Sequence, residues 1–152
     1  MTITTELVKK LRDETGISVM QCKKALEEVG GDMEKAKVFL QQKSAEISQK
    51  KGDRTLGAGV ISSYIHATGN VGTMIELLCE TDFVAKNEEF KSLARDIAMH
   101  ATAMNPENEQ ALLVQPFIKN PEVTITNLLQ LAVQKFGEKI EISRFIRYSV
   151  SQ

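Results

Sequence analysis

VISSYIHATGNVGTMIELLC, Val60–Cys79, is the stretch whose reading decides the fold. Val60 to His66 and Val71 to Cys79 run with a period of two and are rich in strand-forming residues. Between them Ala67-Thr68-Gly69-Asn70 has the chemistry of a tight turn, so the stretch predicts a β-hairpin. Downstream the period changes. Asn87 to Met104 places Phe90, Leu93, Ala94, Ile97, Ala98 and Ala101 on one helical face, and Asn105-Pro106 ends that helix. Residues 105–122 read as irregular, with prolines bracketing Ala111-Leu112-Leu113-Val114. A further helix is expected from Thr126 to Phe136, stopped by Gly137. From Ile140 to Val150 alternation returns. It predicts a third strand with Ile140, Ile142, Ile146, Tyr148 and Val150 on one side, interrupted by Arg144. That strand must join the hairpin, because a lone strand leaves its backbone groups unpaired. The second part thus reads β-β-α-α-β: a small three-stranded antiparallel sheet with helices packed on one face, an α+β arrangement.

Upstream, residues 1–50 read as three short helices. Thr4 or Thr5 caps the first, with Leu7, Val8 and Leu11 facing inward before Thr15-Gly16 stops it. Ser18 to Gln21 has the form of a capping box, followed by Cys22, Ala25, Leu26 and Val29 at helical spacing and by Gly30-Gly31. Asp32 caps the third helix, whose Ala36, Phe39 and Leu40 face the others. Residues 51–59 are polar and glycine-containing and read as a linker, leaving 60–152 as the α+β core. Lys50, Lys51 and Arg54 there read as solvated charges, and Gly57-Ala58-Gly59 lacks the spacing of a phosphate loop.

The 152 residues are 42% apolar and 26% charged, a globular balance, with a net charge of -1 that gives no general pull on nucleic acid or anionic membrane. No apolar run approaches the ~20 residues of a membrane span. Met1 leads into Thr-Ile-Thr-Thr-Glu without a secretory pattern, so the expected location is cytoplasmic. Cys22 and Cys79 are expected as free thiols. With no Trp and 5% aromatics, a base-stacking platform is not expected.

Chemistry-bearing clusters are scarce. His66 and His100 lack metal-ligand spacing with the cysteines, and no metal or cofactor is expected. A Cys79–His66 pair across the hairpin lacks an orienting third group. Glu27-Glu28 and Glu88-Glu89 are adjacent on helices and diverge by ~100°. The expectation is a protein without covalent chemistry. Surface recognition is left. Val19 and Met20 open the second helix beside Lys23 and Lys24, and at least one of the two apolar side chains should face outward. Glu80-Thr81-Asp82-Phe83-Val84-Ala85-Lys86-Asn87 connects hairpin to helix, with Thr81 or Asp82 as N-cap and Phe83 at the first helical position. Phe83 has two readings, a staple folded onto the core or an exposed group aimed at another molecule, with Val84 able to supply the apolar cover.

Three blocks, TGISVMQCKKALEEVGGDMEKA, ETDFVAKN and FGEKIEISRFIRY, resemble the elongation factor Ts family in family order, from about Leu7 to Tyr148. The resemblance implies a ubiquitin-associated-like three-helix module joined to an α+β core. It implies exchange activity on the translational GTPase elongation factor Tu: binding the GDP form, promoting loss of GDP and magnesium, then yielding to GTP. The family's contact positions fall on Asp82 and Phe83, the latter as a wedge near the GTPase's magnesium site, with Thr81 and Val84 beside them. They fall also on Arg12, Val19, Met20 and Lys23 of the helical module. The family's Ile-Gly pair falls on Phe136 and Gly137, a departure at Phe136. Met104-Asn105-Pro106 reaches Gln115-Pro116-Phe117 directly, so the coiled-coil insertion of long forms is absent, as is their second core repeat. Similarity to other short forms implies a homodimer that rebuilds the two-repeat core through its sheets, with His66 serving from the second protomer. An organellar matrix or stroma is the alternative location, where a targeting segment has been removed. The competing expectation is a non-catalytic adaptor that uses only its helical module.

Overall fold

Short polar side chains set the helix starts. A computed structural model describes residues 2–151, and in it Thr4 accepts a hydrogen bond from the Leu7 amide at 3.2 Å, opening α1 (Thr5–Thr15). Ser18 and Asp32 do the same for α2 (Val19–Glu28) and α3 (Met33–Lys50). Each satisfies an amide that the first helical turn leaves without a partner. The capping box at Ser18 is only half made, since Gln21 turns its side chain toward Gln134 instead. The three helices bury Val8, Leu11, Ile17, Cys22, Ala25, Leu26, Ala36 and Leu40 as one core.

Beyond Lys50 a short connection reaches β1 (Ala58–Ile65), so Ala58 and Gly59, read above as linker, belong to the strand. β1 and β2 (Val71–Cys79) form the predicted hairpin, and β5 (Glu141–Ser149) pairs antiparallel with β2, giving the order β1-β2-β5. β2 is the central strand. Gly59 is required there by space, because a Cβ would stand 2.5 Å from the Leu77 carbonyl oxygen across the pair. Helices cover one face of this sheet, as expected for the α+β class. α5 (Glu88–Met104) lies on it and buries Phe90, Ala94, Ile97, Ala98 and Ala101 against Ile75, Leu77 and Ile142.

Two expectations need correction. Residues 105–122 are not irregular. Asn108 caps a short helix α6 (Glu109–Val114) that buries Leu112, and β3 (Pro116–Phe117) with β4 (Asn120–Thr124) forms a second small hairpin. His100 holds this segment in place. Its Nδ1 accepts the Ile118 amide at 3.1 Å, its Nε2 lies 2.9 Å from Gln115 Oε1, and burial pulls its pKa below 6.5. Nor does β5 keep one alternation. Ile142 pairs with Leu77 and Arg144 with Glu76, which leaves Ser143 as an extra, bulged residue. Ile140 and Ile142 therefore point into the core, whereas Ile146, Tyr148 and Val150 are exposed. In their place Phe145 packs against the core, and Arg147 donates from Nε to the Thr102 carbonyl at 3.1 Å.

α7 (Ile125–Phe136) is the element common to both cores. Ile125, Leu129, Ala132 and Val133 face the sheet core, while Leu131 packs against the three-helix core. Its Gln134 bonds Ser44 on α3 and Gln21 on α2, and its Lys135 stem lies against Gly16. Among the described residues no helix is long and apolar enough to cross a membrane.

Candidate functional site

Thr81 is extended (φ -129°, ψ 154°) and caps α4 (Asp82–Ala85), its hydroxyl accepting the Val84 amide at 3.3 Å. Asp82 is therefore the first helical residue and Phe83 the second, one later than the sequence suggested. A single turn follows before Asn87 starts α5 by accepting the Glu89 amide. On so short a helix neighbouring side chains point apart, and the division is sharp. Val84 is 4% exposed and closes the core, whereas Phe83 is 84% exposed. The staple reading of Phe83 is thus excluded, and Val84 does that work. Asp82 is exposed beside it.

The turn is held by side chains distant in sequence. Glu138, just past α7, accepts the Glu80 and Thr81 amides at 3.0 Å each on Oε1, and the Thr81 hydroxyl at 2.6 Å on Oε2. Glu80 answers: its Oε2 accepts the Lys139 amide at 2.6 Å while its Oε1 meets Arg54 at 3.3 Å. Lys139 in turn donates to the Gly52 carbonyl at 2.9 Å. Beneath the turn the buried Cys79 thiol lies 3.3 Å from the Thr81 carbonyl, its pKa raised first by burial and then by the nearby Glu138 charge. Charge-assisted bonds of this kind are short and about twice as strong as neutral ones. Arg54, read from sequence as a solvated charge, is one of the ties.

The clasp brings the second expected contact pair alongside. Gly137 closes α7 in the left-handed conformation (φ 74°), with its amide on the Val133 carbonyl, and delivers the chain to Glu138. Phe136 is half-buried and meets Phe90 edge-on at 5.9 Å between ring centres, so its ring serves the core as well as the surface. Arg12 on α1 and Val19, Met20 and Lys23 on α2 are all exposed, Val19 and Met20 largely in solvent. The C-terminal end of α7 meets both regions: Gln134 bonds Gln21 on α2, the Lys135 stem lies against Gly16, and Glu138 follows just beyond the helix.

His66 lies elsewhere. It sits exposed at the hairpin turn, its amide bonded to the Val71 carbonyl and its Nδ1 3.3 Å from the Tyr64 hydroxyl. Cys79 pairs with Ala58 at the opposite end of the same hairpin. The Cys79–His66 pair is separated by roughly 26 Å of strand and cannot act together. Within one chain, His66 is likewise remote from Phe83. Sequence reading missed Glu80, Glu138 and Lys139. A polar Glu-Lys after a helix-ending glycine is a signal only of a turn.

The family profile described as Elongation factor TS matches residues 80–152, and that described as Elongation factor Ts, mitochondrial, N-terminal matches residues 1–52. A relative named Elongation factor Ts from Carboxydothermus hydrogenoformans is 40% identical, aligned over 99% of this chain and 90% of its own length. Another of that name, from Thermodesulfovibrio yellowstonii, is 41% identical over 100% of this chain and 98% of its own. A third, from a Cyanothece species, is 36% identical over 99% of this chain and 74% of its own. These alignments run to 195 or 196 positions against a chain of 152 residues, so the relatives hold residues that this chain lacks. With both profiles matched in order and the relatives aligned over almost its full length, the chain belongs to the elongation factor Ts family.

Proposed function

We propose that the chain is a guanine-nucleotide exchange factor that binds elongation factor Tu in its GDP form and promotes release of GDP and magnesium, so that GTP can enter. The observation that carries this reading is Phe83: a large apolar side chain 84% exposed on a helix start whose backbone is clasped from a distance. An exchange factor breaks no bond. It forms a ternary state in which factor and nucleotide weaken each other's binding, and that coupling is reciprocal. Burying Phe83 in the GTPase supplies ~1.5–3 kcal/mol, and each ~1.4 kcal/mol changes an equilibrium tenfold. Wedged near the magnesium, the ring displaces the strongest counter-charge of the phosphates. Asp82, Thr81, Val84, Phe136 and Gly137 frame it. Arg12, Val19, Met20 and Lys23 act as the docking anchor, in a unit comprising residues 1–50 joined through 51–57 to the core that begins at Ala58.

A homodimer through the sheet belongs to the same reading. Ile61, Ile65, Met74, Ile146 and Tyr148 leave the uncovered sheet face apolar, and a second copy of that face would cover it and bring His66 from the partner. The cytoplasm, or an organellar matrix or stroma, is where such a factor works. Stopped-flow release of a fluorescent GDP from purified elongation factor Tu, with and without the chain, tests the exchange reading. Acceleration is expected. A complex that forms but leaves GDP release unchanged would point to an adaptor instead, and light scattering reports the dimer.

A further inference from the structure

We infer that Glu138 is a positioning residue for exchange, acting through Phe83 rather than by touching the GTPase; this rests on the exchange reading given above. Glu80 and Thr81 lie at the end of a central strand, where the chain leaves the sheet and its amides lose their ladder partners. Left free, those amides would let the turn sample other orientations, and a side chain that must enter a pocket would be ordered only on binding. Glu138 removes that freedom with both oxygens. Oε1 takes the two amides, and Oε2 takes the Thr81 hydroxyl at 2.6 Å. This last bond orients the same hydroxyl oxygen that accepts the Val84 amide. The hydroxyl proton points at Glu138, so a lone pair points into α4. One carboxylate therefore fixes the cap, the cap fixes the single turn of α4, and the turn fixes where Phe83 points.

The reverse bond, from the Lys139 amide to Glu80, makes the clasp reciprocal. It ties the end of α7 to the start of α4 in one body, so the Phe136-Gly137 edge and the Phe83 ring keep a fixed spacing. Preorganisation of this kind acts on the strained exchange state more than on initial docking, because docking tolerates a mobile ring and wedging does not.

The test uses the full-length chain and saturating-rate measurements of fluorescent GDP release. Glu138→Ala is expected to lower the saturating rate about tenfold while moving the half-saturating concentration less than about twofold. Glu138→Gln keeps one carbonyl for the amides but replaces the hydroxyl's acceptor with a donor, so an intermediate loss is expected. If Glu138 works through Phe83, adding Glu138→Ala to Phe83→Ala causes no further loss. Additive losses, a full saturating rate in Glu138→Ala, or a loss confined to half-saturation would each overturn the inference. Circular dichroism checks folding; should Glu138→Ala fail to fold, the folded Glu138→Gln variant decides by the same criteria. A wild-type chain that does not accelerate GDP release would instead defeat the exchange reading itself.

Discussion

The two apolar patches carried on helix starts are built in different ways. Val19 and Met20 stand on the first turn of α2, whose backbone start is capped locally by the Ser18 hydroxyl, three residues before the Gln21 amide. Phe83 stands on a helix of one turn, and the Glu80 and Thr81 amides before it are fixed from 58 and 57 positions away. A locally fixed patch is inexpensive to present and tolerant of small movements, which suits docking. A patch fixed from across the fold keeps its geometry when pushed, which suits a part that must push something else.

The sharpest way to break this comparison is to remove each patch in turn. Phe83→Ala is expected to lower the saturating rate of GDP release by tenfold or more, since at least ~1.5 kcal/mol of burial is lost from the exchange state. Its thermal midpoint should barely change, because an exposed side chain holds nothing together. A rate equal to wild type would end the wedge role. The double substitution Val19→Ala, Met20→Ala should do the reverse. About a fivefold rise in half-saturating concentration is expected, with the saturating rate kept, and a titration of the same stopped-flow signal separates the two.

The local fix can be tested by itself. Ser18→Ala should cost about 1 kcal/mol of stability, read from the urea midpoint, because one cap bond is lost at the helix start. A loss several times larger would mean that α2 depends on more than its own cap. The smallest effect concerns the scaffold under Phe83. His100 is held neutral by burial, with a pKa below its ordinary 6.5, so below that value the unfolded chain binds a proton that the folded chain resists. Stability is then full above about pH 6.5 and falls as pH drops toward the folded pKa. His100→Gln should flatten that part of a urea-midpoint profile.

Sequence patterning reached the helices and the hairpin because both are written in local periods. Phe90, Ile97 and Ala101 recur at helical spacing, and Val60 to Cys79 alternates with a turn between. It placed Val19, Met20 and Phe83 as recognition candidates from residue type and resemblance. It failed where partners are remote. Nothing near Glu138 says that its carboxylate reaches Thr81, and nothing near Asn108 says that His100 will seat the segment it opens. Residues 105–122, bracketed by prolines, read as irregular, yet the β3–β4 hairpin is short enough to accommodate Pro116 and Pro121. The fate of Ile146 and Tyr148 was misjudged because a bulge changes which side a residue faces without changing the composition around it.

Ser143 therefore acts on β5 as an inserted letter acts on a reading frame. Residues before it are spelled with even positions inward, residues after it with odd positions inward. Deleting Ser143 alone would remove the bulge and leave the other side chains facing as they do now, because Arg144 already pairs with Glu76 next to the Ile142–Leu77 pair. One more residue between Arg144 and Phe145, accommodated without a bulge, would instead turn Ile146 and Tyr148 toward α5 and expel Phe145 and Arg147, so what the interior reads depends on the strand's count as well as its letters.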